Sequence, residues 1–275
     1  SAAERGAGAR RGQDGPHVKL LFVGDVFGRP GRSALLEWLP GYRAEQGIDF
    51  VVVNGENAAN GAGITSKIAR KLLDDGVDVL TTGNHVWRQR EVFAFLAEDE
   101  RIVRPANYPP ASPGRGLTVR PAADGTPVAV VDLAGDLYMG SGLSPFRLVD
   151  RLVDEAHTQA ATVIVDLHAE ATSEKVAMGH YLDGRVTAVV GTHTHVQTSD
   201  ARVLPGGTAY ITDVGMTGPL ESVIGVRTDI IVQRFVTGMP QRFEVEENGP
   251  VRLDAVVIAA EGGAATAIEA LDLVL

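Results

Sequence analysis

Five short apolar runs in this chain each end in a side chain able to bind a cation, and this arrangement constrains the fold more than any other feature. Run 18–23 leads into Gly24-Asp25-Val26, and run 50–53 into Asn54-Gly55-Glu56-Asn57. Run 77–81 leads into Gly83-Asn84-His85, run 162–167 into His168, and run 187–190 into Gly191-Thr192-His193-Thr194-His195. Runs of this length, rich in Val and Ile and apolar on both faces, predict buried strands. Amphipathic stretches alternate with them, which predicts an α/β fold. In α/β sheets ligand sites gather at the carboxyl ends of strands. One polar ending means little, but five together predict a single site.

Further strands are predicted over 128–133, 209–212 and 251–258, and helices over 32–46, 65–75, 88–98, 146–160, 173–181 and 264–273. Thr65 and Ser173 read as N-caps of the second and fifth helices, and Pro145 sits near the start of the fourth. The Pro- and Gly-rich segments 105–116 and 215–225 read as loops. No linker interrupts the pattern, so a single domain is expected over 17–275. Residues 1–16, rich in Ala, Gly and Arg, read as a flexible extension or a remnant foreign to the native chain. The C-terminal stretch 264–275 has apolar residues at helical spacing, which could pack internally or against a second copy in a homo-oligomer.

The charge and residue balance narrow the chemistry. A formal net charge of -10 argues against a face for long nucleic acids. The absence of cysteine excludes disulfides, thiolate metal sites and a thiol nucleophile. Any metal must therefore sit on oxygen and imidazole, which suits manganese, iron, zinc or magnesium. No apolar run is long enough for a membrane span. The pair Arg10-Arg11 is followed by Gly12 to Pro16 and not by an apolar segment, so a cytoplasmic location is expected. Dinucleotide-binding, P-loop and nucleophile-elbow motifs are absent from the sequence.

The candidate site offers two carboxylates (Asp25, Glu56), two carboxamides (Asn57, Asn84) and three imidazoles (His168, His193, His195). That set exceeds what one catalytic metal takes while keeping an open position, and suits two metals sharing a carboxylate. Two cations would neutralise phosphoester oxygens and lower the pKa of a bridging water, giving a hydroxide able to attack phosphorus in line. The leaving alkoxide then needs a proton, and His85, directly after Asn84, is the candidate general acid.

Each residue also has a plainer reading. Asp25, Asn57 and Asn84 taken singly are ordinary turn formers. His193 and His195 stand at i and i+2, which places both on one face of a strand end. Glycines 24, 55, 83 and 191 would let the backbone turn sharply. Glu170, Glu174 and Asp213 are either solvated or orient imidazoles. Arg29 and Arg32 either contact phosphate or face solvent. His17, His157 and His180 lack such context and read as structural or solvated.

The blocks Gly24-Asp25, Gly83-Asn84-His85 and Gly191-Thr192-His193-Thr194-His195 resemble the signatures of calcineurin-like metallophosphoesterases. The fuller strings Gly24-Asp25-Val26-Phe27-Gly28-Arg29-Pro30-Gly31, Asn54-Gly55-Glu56-Asn57-Ala58-Ala59-Asn60-Gly61, Asp166-Leu167-His168-Ala169-Glu170-Ala171-Thr172-Ser173-Glu174-Lys175 and Thr192-His193-Thr194-His195-Val196-Gln197-Thr198 resemble one bacterial branch, the YmdB-like 2′,3′-cyclic nucleotide phosphodiesterases. The wider superfamily has His where this chain has Phe27 and Asp where it has Glu56, and both departures are features of that branch. The resemblance implies two β-sheets packed as a sandwich and flanked by helices. It implies a first metal on Asp25, Glu56, Asn57 and His195, and a second on Glu56, Asn84, His168 and His193. Iron or manganese would be the metals, His85 the proton donor, and a small phosphodiester such as 2′,3′-cAMP the substrate, cut at its 2′ ester to leave a 3′-nucleotide. The rival expectations are a phosphodiesterase or phosphomonoesterase of broad specificity, and a metal-binding regulatory protein with incidental hydrolysis.

Overall fold

A computed structural model describes residues 17–140 and 142–275; the extension expected over 1–16 lies outside the described residues. The elements run β1 (His17–Val23), β2 (Asp25–Val26), α1 (Gly28–Gln46), β3 (Phe50–Asn54), α2 (Ser66–Asp74), β4 (Val79–Thr81), α3 (Val92–Glu98), β5 (Leu117–Pro121), β6 (Pro127–Ala134), α4 (Val149–His157), β7 (Thr162–His168), α5 (Thr172–Leu182), β8 (Ala188–Thr192), β9 (Arg202–Val203), β10 (Ala209–Ile211), β11 (Met216–Pro219), α6 (Thr228–Thr237), β12 (Val251–Glu261) and β13 (Ala264–Val274). They form two sheets. One has the order β2-β11-β12-β1-β3-β4, with β13 also paired to β12. The other has the order β5-β6-β7-β8-β10-β9.

Strand alternation explains why the runs carry apolar residues at successive positions. Val18, Leu20 and Phe22 of β1, with Phe50 and Val52 of β3, pack against Val130 of β6, Ile164 of β7 and Val190 of β8, closing the space between the sheets. The intervening residues Leu21, Val23, Val51 and Val53 face Leu35 and Leu39 of α1 and Leu72 of α2. In the second sheet Val131, Val163 and Val165 turn the other way, onto Leu152 and Val153 of α4 and Met178 of α5. Each central strand is thus buried on both faces, and the layers run helix, sheet, sheet, helix, as the sandwich expectation has it.

Local chemistry sets several boundaries. Thr65 caps α2 as expected, its hydroxyl accepting the Ile68 N–H at 3.2 Å. Ser173 does not cap α5: the helix already includes Thr172, and the Ala171 carbonyl accepts the Glu174 and Lys175 N–H groups. Pro145 opens a short 3-10 turn ahead of α4.

The helix expected over 264–273 is instead strand β13, the second arm of a hairpin with β12. Gly262 and Gly263, both at positive φ, form the two-residue turn. A β-bulge between Ala259 and Ala260 sets the register. The Gly-Gly pair after an apolar run was the available hairpin signal. Segment 215–225, read as loop, contains β11, which pairs β2 with β12. Helix α6 was not anticipated, because Ile231 is its only buried residue and Ile230-Ile231-Val232 carries no helical stripe. Among the described residues no helix is long and apolar enough to cross a membrane.

Candidate active site

The carboxyl ends of β1, β3, β4, β7 and β8 meet at one edge of the sandwich. Asp25, Glu56, Asn57 and His168 are buried there, while Asn84, His85, His193 and His195 are partly exposed along the rim. Asn57, His85, His193 and His195 line a cavity of about 590 Å³, with Phe27 and Arg88 in its wall. All seven predicted donor residues and His85 come together.

Their atoms form two adjoining groups. His168 Nε2 lies 3.0 Å from Glu56 Oε1, 3.0 Å from Asn84 Oδ1 and 3.1 Å from His193 Nδ1. His195 Nε2 lies 3.0 Å from Asn57 Nδ2 and 3.8 Å from Asp25 Oδ1. Glu56 adjoins both groups, its Oε1 accepting from Asn57 Nδ2 at 3.2 Å. Asn57 directs its nitrogen inward and its oxygen toward His85 Nδ1, 2.7 Å away.

Each imidazole has its outer nitrogen tied down. His168 Nδ1 meets Thr192 Oγ1 at 2.9 Å, and that hydroxyl donates to Asp166 at 2.7 Å. The Thr192 oxygen must therefore accept from Nδ1–H, which leaves the Nε2 lone pair facing the centre. His193 Nε2 meets Glu170 Oε2 at 3.1 Å, so Glu170 is one of the orienting partners anticipated. His195 Nδ1 donates to the Ile224 carbonyl at 2.9 Å.

These distances fit a cation better than a proton. His168 Nε2 faces three acceptor atoms, and one proton can serve only one of them. Ligands about 2.1 Å from a common cation stand roughly 3.0 Å apart in cis positions. The electrostatics agree. Burial pushes the His168 pKa down, but attraction to Glu56 and its hydrogen bond outweigh that and hold it above the ordinary histidine range. Burial likewise pushes Glu56 up, and His168 and His85 together more than reverse it. Positive charge is thus favoured here. Burial and repulsion by His168 push the His193 pKa down to about 3, leaving that ring neutral and its lone pair free.

The backbone reaches this arrangement by a route other than strand alternation. Strand β8 ends at Thr192; His193 has φ 103° and His195 has φ 64°, both left-handed. Non-glycine residues there carry a cost on the order of 1–2 kcal/mol each. The expected glycines matter for close approach and not for turning, since 24, 55, 83 and 191 are absent from the positive-φ positions. A Cβ on Gly83 would overlap the Glu56 carboxylate and the His168 ring.

Other candidates are placed elsewhere. Arg29 pairs with Glu247 at 2.9 Å on the surface, and Arg32 hydrogen-bonds the Ala58 carbonyl behind the Asn57 loop. Glu174 accepts the Asp136 N–H and touches no imidazole. Asp213 accepts from Thr194, between the two histidines. His17 begins β1, and His157 Nε2 meets the Arg185 carbonyl at 2.8 Å. Thr192, Asp166 and Arg88 were missed: a strand threonine, a strand aspartate and a surface arginine carry no local signal, and only their placement makes them relevant.

Fold and site together define a phosphoric ester hydrolase of metallophosphoesterase architecture. The model of the YmdB-like protein family matches residues 21–271, and the chain belongs to that family. It is 47% identical over 241 residues to the 2′,3′-cyclic-nucleotide 2′-phosphodiesterase of Bacillus subtilis, covering 88% of this chain and 90% of that one. A crystal structure of a hypothetical protein from Thermus thermophilus superposes with a TM-score of 0.87 at 45% identity, covering 94% of this chain and 99% of the other. A crystal structure of a novel phosphatase of Mycoplasma pneumoniae superposes with a TM-score of 0.86 at 32% identity, covering 94% of each.

Proposed function

We propose that this chain hydrolyses 2′,3′-cyclic nucleotides at the 2′ ester, leaving a 3′-nucleotide, at a centre built for two metal ions. The observation that carries the reading is the crowding of three acceptor atoms around His168 Nε2, at 3.0 to 3.1 Å, beside two buried carboxylates. The substrate follows from the relative 47% identical to this chain. Asp25, Glu56, Asn57 and His195 would hold one metal, and Glu56, Asn84, His168 and His193 the other. Two iron or manganese ions (zinc and magnesium accept the same donors) would supply neutralisation of the phosphate oxygens and activation of a water.

The chain's own residues do the rest. Thr192, Glu170 and the Ile224 carbonyl orient the three imidazoles. Ligation by Asn57 requires a half-turn of its amide, which exchanges oxygen and nitrogen without moving the side chain. In the orientation of the structure the Asn57 oxygen accepts from His85 Nδ1, leaving Nε2 as the ring atom open to the cavity. Water adds to phosphorus and releases one proton to solvent, the P–O2′ bond breaks, and His85 gives its Nε2 proton to the departing 2′ oxygen and is reprotonated from solvent.

The test strips the protein with chelator, restores Mn²⁺ or Fe²⁺, and follows 2′,3′-cAMP beside bis-p-nitrophenyl phosphate and a phosphomonoester. Metal-dependent formation of 3′-AMP is the expected result. Turnover of the generic esters alone would overturn the substrate. Two bound metals per chain without any turnover would replace the proposal with a regulatory role.

A further inference from the structure

Lys175 and Asp213 form an ion pair of 2.6 Å with both side chains only 1% exposed. A buried pair of this kind is weak evidence for stability, since well-packed apolar residues often do as well. Its geometry is more informative. Asp213 Oδ2 also accepts the Thr194 N–H at 3.1 Å and the Thr194 hydroxyl at 2.8 Å, while Oδ1 accepts the Gly215 N–H at 2.9 Å. Thr194 is the one residue between His193 and His195, the two left-handed histidines. Lys175 rises from the first turn of α5, and its stem passes beneath this turn: a Cβ on Gly191 would stand 2.8 Å from Lys175 Cδ.

We propose that Lys175 is a positioning residue for the active site, acting through Asp213 and Thr194 to hold the His193–His195 turn in its left-handed form. The left-handed backbone directs both imidazoles inward, one to His168 and the other to Asn57. Without the carboxylate anchor, Thr194 loses the two contacts that oppose relaxation to ordinary backbone angles. Without Lys175, Asp213 is a buried carboxylate lacking its counter-charge. The inference rests on the reading that His193 and His195 hold metal.

The experiment measures Mn²⁺ binding by equilibrium dialysis, with circular dichroism and melting temperature, for the wild type, Lys175→Met, Thr194→Val and the double variant. Lys175→Met keeps the aliphatic stem and removes the charge. Thr194→Val removes the hydroxyl link and leaves the ion pair intact. Each single variant is expected to keep the wild-type fold and to bind Mn²⁺ roughly 10–100-fold more weakly. The double variant is expected to be no weaker than the worse single one, because both act along one chain of contacts. Folded variants that bind Mn²⁺ within about twofold of wild type, whatever their melting temperature, would overturn the proposal. If Lys175→Met does not fold, Lys175→Gln, which removes the charge and keeps a polar end, decides by the same criterion. A wild-type protein that binds no Mn²⁺ would instead overturn the metal reading itself, which keeps the two failures distinct.

Discussion

The hydroxyl of Thr192 accepts the Nδ1 proton of His168 across 2.9 Å and gives its own proton to Asp166, so one side chain sets both the tautomer and the orientation of the central imidazole. Asp166 also accepts from Thr81 at 2.6 Å and from Asn54 at 3.1 Å. Burial raises its pKa to about 6, against the attraction of His168 and the hydrogen bonds from Thr81 and Thr192. Thr192→Val keeps the shape and deletes the relay. The expected cost is about 1–3 kcal/mol for the stranded buried groups. Metal affinity or turnover should fall roughly 10–100-fold. Thr192→Ser should retain most of both. Chemical denaturation and metal titration check this pair of variants.

Gly83→Ala should disable the site. The added methyl would overlap the Glu56 carboxylate and the His168 ring, neither of which has room to retreat inside the core. Overpacking of this kind costs about 1–3 kcal/mol. Metal content measured on the folded variant should drop with activity, and normal content would contradict the close-approach argument.

His85→Ala should lower kcat by roughly 10²–10⁴-fold, since a general acid contributes about that much. Metal stoichiometry should not change. A general acid works in its protonated form, so kcat/KM should fall as pH rises through the His85 pKa. Burial lowers that pKa, with Glu56 partly offsetting it, so the alkaline fall should begin below the ordinary histidine range. The variant should lose that limb of the profile. A pH–rate series on both proteins decides the assignment.

Asp254 should make the fold less stable toward neutral pH. It is buried on β12; Oδ2 accepts the Met216 N–H at 3.1 Å and Oδ1 has no hydrogen-bond partner. Burial raises its pKa from 3.8 to about 7. The folded state therefore holds a proton that the unfolded state releases between those values. Its contribution is fully present below about pH 4 and is lost as pH rises through about 7. The loss is on the order of a few kcal/mol at most. Urea unfolding of Asp254→Asn should show a smaller decline from pH 5 to pH 8 than the wild type.

Much of this architecture was legible without coordinates. The runs at β1, β3, β7 and β8 are apolar at most positions, because each lies between a sheet and a helical layer, and a strand buried on both faces takes a polar side chain only where, like Asp166, it finds hydrogen-bond partners. The donor residues stand out because polar side chains that end such runs have few other reasons to be there. The C-terminal hairpin failed for the converse reason. Strand β13 changes the side it packs on: Ala265 and Ile268 enter the space between the sheets and Leu271 and Leu273 join the core on the helical side, so its apolar residues carry no clean period of two and a threefold spacing imitates a helix.

By itself, then, the sequence determined the layer pattern, the strand ends that gather at one edge and the set of candidate donor residues, since these follow from local hydrophobic patterning and from which side chains can bind a cation. Only the tertiary structure decided how those donors are aimed. The Asp213 contacts to Thr194 in the left-handed turn at His193 and His195, the Thr192–Asp166 relay beneath His168 and the Lys175–Asp213 pair beneath Thr194 each join residues distant along the chain. Their partners become neighbours only when the sheets pack, and no local propensity records a contact that exists only after burial.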